Sequence, residues 1–288
     1  MSRRLTDGDV AAIRGLMSAE RLGTFKRIAD ADLDAIELHQ AAMGLSGALT
    51  AVIGVIEVSL RNAICRRISA DLGVQDCLRS PPSNFSWAEP EQRNIVKAEA
   101  MARRAAYAKL NNGQKLALDA LAFPQGVPAN IKRSRLAIRR QGEIPVSEGQ
   151  VVAQLTIYFW KRLFSENYEK TLWKRSLKKV FPNKTYSRAR IADNLEVIYQ
   201  TRNRLAHHEP VFGKRLREAM DAIEFISRNL GSRRPTDETP LAKLMMPHLK
   251  SLSAATTEFQ KIIEKTKEAR ESEGKTEMKA AQAAVVGE

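Results

Sequence analysis

Apolar residues recur at spacings of three and four along most of the chain, a pattern that predicts helices almost throughout. Val10, Ile13, Leu16 and Met17 share one side of a first helix that Asp7 or Asp9 can cap. A long helix is expected from about Asp32 to Ala70. There Leu45, Leu49, Val52, Ile56, Leu60, Ala63 and Ile64 step by three and four, with one single step. Leu72 to Pro90 holds Gly73, Pro81, Pro82 and Pro90 and reads as a loop. Glu91 to Ala120 is alanine-rich and charged and reads as a surface helix, and Phe123 to Gly149 as irregular chain with a short helix near Arg135.

The second half repeats the pattern. An aromatic helix is expected over Val151 to Phe164, and another from about Glu169 to a stop at Pro182. A helix from near Ser187 runs through Arg202 to about His208, because Pro210 disfavours helix at Glu209. Lys214 to Leu230 follows, with Leu216, Met220, Ile223 and Ile226 on one face and Gly231 as a stop. No strand series or internal repeat is visible. The fold class is therefore all-α, a helical bundle with a C-terminal extension. The expected division is a helical domain over residues 1–231, a linker at 232–240, and an amphipathic helix with a polar tail at 241–288. The Lys/Glu/Ala composition of that tail suits a frayed helix or disorder.

Composition narrows the function classes. With 288 residues, 43% of them hydrophobic, the chain can bury a real core, and 15 Gly and 11 Pro are too few for turn-dense all-β folds. The most apolar stretch, Ala41 to Ile56, has 16 uncharged residues. A spanning helix needs roughly 20, so a core helix is expected and no membrane partner. The N-terminal MSRRLTDGDV has no apolar core of a signal peptide. Cys65 and Cys77 read as free thiols, and both features point to a cytoplasmic protein.

Charge changes the picture most. Forty-seven Lys and Arg against 33 Asp and Glu give a net charge of +14, which suits a polyanionic partner, either nucleic acid or an anionic membrane surface; a basic protein without one is the plain alternative. Residues 161–190 carry ten basic and two acidic residues, and eight of the 17 aromatics fall between Tyr158 and Tyr186. On a helix Lys174/Lys178 and Arg175/Lys179 stack like charges, which a polyanion relieves. Aromatics beside cations suit unpaired bases, so Lys174, Arg175, Lys178 and Lys179 are the candidate RNA-binding residues. Solvated cations over an aromatic core are the alternative. No Gly-rich phosphate loop, HExxH, GxSxG or Cys/His metal spacing occurs, so neither a cofactor nor a metal ligand set is expected.

Candidate chemistry concentrates in Thr201 to Phe212, TRNRLAHHEPVF. Asn203 and His207 are four apart and share a helix face, whereas His207 and His208 diverge by about 100°. Arg202 can reach toward the imidazole near a helix end. Arginine offers a planar fork to phosphate, and histidine ordinarily titrates near neutrality. The alternative is that these cations only complement a helix dipole. Glu57 and Arg61, four apart, read either as a buried structural pair or as a support that orients Arg202 or a neighbour.

Arg202-Asn203-x-x-x-His207-His208-Glu209-Pro210 resembles the Arg-x4-His signature of HEPN proteins, in the form found in their Abi-like, abortive-infection branch. Ser18-x-x-Arg21-Leu22 resembles that branch's N-terminal motif, with Phe25 where tyrosine is expected. Glu57-x-x-Leu60-Arg61-Asn62 resembles its helix motif. Val151-Val152-Ala153-x-Leu155 with Phe159-Trp160 and Leu163-Phe164 resembles its central motif, with Ile157-Tyr158 in place of Phe-Gly. The resemblance implies a HEPN-type bundle that homodimerises and, in many members, a metal-independent endoribonuclease acting as a toxin or in antiviral defence. Arg202, Asn203 and His207 would be catalytic, with Glu57, Arg61 and His208 in support. RNA would be the substrate, and an antitoxin or regulatory protein suits that biology. A non-catalytic RNA- or partner-binding module on the same fold is the other expectation.

Overall fold

The computed structural model describes residues 5–286, with side chains described as far as residue 272. Among the described residues there are twelve α-helices and no strand, so the protein is all-α. The helices are α1 (Asp7–Met17), α2 (Ala19–Lys26), α3 (Asp32–Leu72), α4 (Glu89–Ala108), α5 (Asn112–Ala117), α6 (Asp119–Ala122), α7 (Arg133–Gly142), α8 (Glu148–Val152), α9 (Ile157–Arg162), α10 (Arg188–Ala206), α11 (Lys214–Asn229) and α12 (Pro240–Val286). They form two units, each discontinuous in sequence. The first comprises Met1–Ile56, Gln200–Ser227 and Pro240–Glu288, and the second Glu57–Tyr199 and Arg228–Thr239. The segment from Pro240 groups with the first unit.

In the first unit the core is built on the apolar column of α3. Leu45, Leu49, Val52, Ile53 and Ile56 are buried, joined by Leu22 and Phe25 of α2, Ile223 and Ile226 of α11, and Met245, Leu252 and Phe259 of α12. α3 is long and apolar enough to cross a membrane, yet this column is buried within the protein. A chain of rings runs from Phe25 to Phe212 (6.2 Å between centroids) and from Phe212 to Phe259 (5.6 Å). Arg270 of α12 pairs with Asp30 at 3.0 Å, and Arg14 of α1 with Asp32 at 2.8 Å. The N-cap of α1 is Thr6, not Asp7 or Asp9. Its hydroxyl accepts from the Asp9 N–H while the Asp9 carboxylate accepts from the Thr6 N–H, a reciprocal pairing in which Asp9 is the third residue of the helix. The C-terminal segment, expected as a frayed helix or disorder, is described as helix to Val286.

The second unit packs Leu60, Ile64 and Ile68 of α3, Ile95 and Ala98 of α4, and Phe159 and Trp160 of α9 into its core. Trp87, Phe159 and Trp160 are buried in it, with Phe159 and Trp160 edge-to-face at 4.9 Å. Glu91, fully buried, pairs with Arg162 and accepts a 2.8 Å bond from the Tyr168 hydroxyl, so its charge is satisfied where water cannot reach. Burial pushes the Cys65 thiol up to about 12 and Cys77 to about 11, which leaves both as unreactive thiols at neutral pH.

Three expected helices are broken. The 91–120 stretch is α4, α5 and α6, separated because Asn111 caps a new start at α5. The 151–164 stretch is α8 and α9, split at residues 153–156. The 169–182 stretch is not an α-helix: a π turn spans Glu169–Trp173 and a 3₁₀ turn Leu177–Lys179. An α-helix there would stack Lys174 on Lys178 and Arg175 on Lys179. Instead Arg175 donates to the Asp71 carbonyl (3.2 Å) and Lys179 to the Asp71 carboxylate (2.8 Å).

Candidate functional site

The C-terminal end of α10 and the residue just beyond it, His207, carry the Arg202 to His207 sequence. Leu205 and Thr201 are buried and set its inner face, so Arg202 and Asn203 are left half-buried and His207 exposed. Among the described residues, the side chains of Arg202, Asn203, His207 and His208 make no hydrogen bond or ion pair. They are therefore available to a ligand.

The helix ends in a defined way. The His208 N–H bonds the Leu205 carbonyl at 3.0 Å and the Glu209 N–H reaches back to the Arg204 carbonyl at 2.8 Å. This is the paired 5→2 and 6→1 pattern of a Schellman stop, with His208 in its left-handed position at φ 55°. Glycine is the ordinary occupant, and a side chain there costs about 1–2 kcal/mol. Arg204 and Glu209 clamp the turn with an ion pair at 2.6 Å, and Pro210 forbids further helix. His207 keeps its helical bond to Asn203 O (3.1 Å), so its backbone stays on the Asn203 side of the helix end. His208 has left the helix, and the 100° relation expected between the two histidines no longer describes it.

An arginine from another segment completes the site. Arg21, in α2, donates from Nη1 to the carbonyl oxygen of His208. The N-cap of α2 is Ser18, at φ 64°, whose hydroxyl accepts from the Arg21 N–H. Ser18 and His208 are the non-glycine residues with positive φ among those described, and Arg21 connects them. Leu22 and Phe25, buried one turn on, anchor α2 beneath. His39 of α3 stacks edge-on to Phe25 at 5.7 Å. Burial first and the Arg21 charge second hold its imidazole below the ordinary histidine range, so His39 is neutral at pH 7.

Arg21, read from the sequence only as part of a motif, thus belongs to this neighbourhood, as does His39. No local pattern reveals a contact spanning 187 positions; the only hint is the Ser18-x-x-Arg21 spacing of a cap.

The remaining candidates lie in the second unit. Glu57 and Arg61 are half-buried and do not pair with each other; the Arg61 Nε is buried without an acceptor. Glu57 sits at the edge of the buried Ile53, Leu60 and Ile64 column, where water still reaches it, so it needs no partner. All four candidate RNA-binding cations are exposed; Arg175 and Lys179 also hold Asp71. Arg67, Lys179 and the buried position make Asp71 a junction, and the Arg67 hydrogen bonds hold its carboxyl well below the usual range. Among the described residues no group of three or more His, Cys, Asp and Glu side chains is placed to hold a metal ion. The chain matches no protein-family model, no curated protein and no solved structure.

Proposed function

We propose that this chain is a HEPN-type endoribonuclease that cleaves RNA by attack of a 2′-OH on the adjacent phosphorus. The 2′-oxygen forms a bond to phosphorus while the bond to the 5′-oxygen breaks. The products are a 2′,3′-cyclic phosphate and a 5′-OH. The base takes the 2′-OH proton and an acid protonates the leaving oxygen, a reaction that requires no metal. His207 serves in this proton transfer, Arg202 stabilises charge on the phosphorane-like transition state, and Asn203 positions the phosphate. The observation that carries the reading is the partnerless Arg202, Asn203 and His207 on one exposed helix end, fixed by the Schellman stop and by Arg21.

One chain offers one histidine on this turn that still follows the helix. A homodimer related by a two-fold axis supplies the second by repeating the same patch. Phage defence or growth arrest is the corresponding biology, with an antitoxin or regulator as its control.

The test is purified protein with total RNA in EDTA, beside His207→Ala and Arg202→Ala. Wild type yields fragments with 2′,3′-cyclic phosphate ends and both variants yield none. Cleavage lost in EDTA and restored by Mg²⁺, or equal cleavage by His207→Ala, overturns the mechanism. A non-catalytic RNA-binding module is the second reading, favoured by a basic groove in the second unit that contains no histidine. Intact RNA with wild-type protein that nonetheless binds it supports that reading.

A further inference from the structure

The second unit contains an open groove of about 1380 Å³, larger than the ~300–1,000 Å³ typical of small-molecule clefts. Its walls are the 178–189 segment and the 233–235 segment. The two are fastened together. The Gly231 N–H bonds the Val180 carbonyl at 2.9 Å, and Asn183 Nδ2 donates to Asn229 Oδ1 at 3.4 Å. Gly231 is left-handed at φ 76°, which turns the chain out of α11 and back along the groove.

The cations of this groove fall into two sets. Arg67 and Lys179 are held by Asp71, and Arg188 by Glu169 and the Phe164 carbonyl. These build the walls. Lys178, Lys184, Arg233 and Arg234 also line it and are exposed, and among the described residues their side chains make no hydrogen bond or ion pair. Glu169 is its one lining carboxylate and is already neutralised by Arg188. Two aromatics, Trp173 and Tyr186, are half-buried in the lining, and Trp173 is braced edge-to-face on Phe164 at 6.4 Å.

We infer that this groove binds single-stranded RNA, with Lys178, Lys184, Arg233 and Arg234 on the phosphates and bases stacked on Trp173 and Tyr186. The inference rests on the ribonuclease reading for its choice of RNA. Unpaired cations spread along a concave track fit a flexible polyanion, and half-exposed rings accept any unpaired base. A bilayer is flat and favours a convex face with protruding apolar residues, which this concave lining lacks.

The experiment uses the full chain carrying His207→Ala, in EDTA, so that RNA is not consumed. The probes are a fluorescein-labelled 12-nucleotide oligouridylate, a duplex RNA of equal length, and phosphatidylserine-containing vesicles. Combined Lys184→Gln, Arg233→Gln and Arg234→Gln should lower affinity for the oligouridylate at least tenfold at 0.15 M salt. The log–log salt dependence should become shallower by about 2, from about 0.7 per lost phosphate contact. Trp87 and Trp160 are buried, so quenching of tryptophan fluorescence by the oligonucleotide reports Trp173 and should vanish in Trp173→Phe. That readout decides the matter should the triple variant unfold. Unchanged affinity and slope, absent quenching, tighter binding to duplex, or binding to vesicles and not to RNA overturns the groove assignment. Binding through the groove by a His207-intact chain that does not cleave overturns the nuclease and leaves the groove. Cleavage with unchanged KM in the triple variant does the reverse.

Discussion

Arg21 donates from its guanidinium to the main-chain carbonyl of His208, joining the start of α2 to the end of α10. The two termini it joins are each kinked through a non-glycine residue at positive φ, Ser18 and His208. A charged donor on this carbonyl offsets part of the strain of the left-handed turn.

Replacing His208 with glycine should raise stability by about 0.5–1 kcal/mol, since left-handed strain is relieved at some cost in chain entropy. Thermal unfolding measures this. Activity retained in His208→Gly assigns proton transfer to His207 alone within each chain, and its loss assigns His208 a chemical part. Arg21→Met should lower stability by about 1 kcal/mol, a modest value because the arginine is only half-buried.

The pH dependence of stability should carry the signature of His39. Its folded-state affinity for protons is depressed by burial and by Arg21. The unfolded chain therefore binds more protons, and stability rises with pH. The contribution is complete above the ordinary histidine value of about 6.5 and is lost as pH falls through the lower folded value. Denaturant midpoints measured from pH 5 to 8 should show a shallower slope in His39→Gln than in wild type. An identical slope places the dependence on another group.

Asp71 organises the 169–179 segment, and its removal should show there first. Asp71→Asn should cost about 2 kcal/mol, since it weakens the pairing of Arg67 and Lys179 at a largely buried site. The carboxyl is depressed, chiefly by the Arg67 hydrogen bonds, so wild type keeps this stability above about pH 3.9 and loses it as pH falls below. The same geometry separates the neighbouring lysines. Lys174→Glu and Lys178→Glu should leave the Tm within about 1–2 °C, whereas Lys179→Glu should lower it measurably, by placing a second acid beside Asp71.

The proposed composite site predicts a particular mixing curve. Excess His207→Ala protein, added under conditions that permit subunit exchange, should reduce total cleavage as wild type is drawn into heterodimers. Activity that stays proportional to wild-type protein, or an active monomer in sedimentation, overturns the shared site.

Much of the helical pattern was legible because burial imposes it. The Leu45, Leu49, Val52 and Ile56 spacing reads directly as one face of α3, and all four side chains are buried. The α10 stop was legible from Pro210. The 169–182 segment was not, because its conformation follows from Asp71, about a hundred positions away, which draws Arg175 and Lys179 to one end of α3. The Arg202 to His207 turn was visible as a motif, but the support from Arg21 and the neutral His39 beside it depend on contacts that no local pattern encodes. Arg233 and Arg234 were read as linker, since nothing in SRRPTDETP announces that it forms one wall of a basic groove.

The order of segments in the first unit has a consequence for synthesis. Met1–Ile56 needs Gln200–Ser227 and Pro240 onward to complete its core, and Phe25 meets its ring partners Phe212 and Phe259 only then. The 143 residues from 57 to 199 are translated in between. At about 5–20 residues per second this is a delay of roughly 7–30 s. Throughout it the emerging chain holds Arg21 and His39 but lacks His207 and the carbonyl of His208 on which Arg21 docks. The Arg21 contact on the His208 carbonyl therefore forms only once residue 208 has been made, well after α2 has left the ribosome.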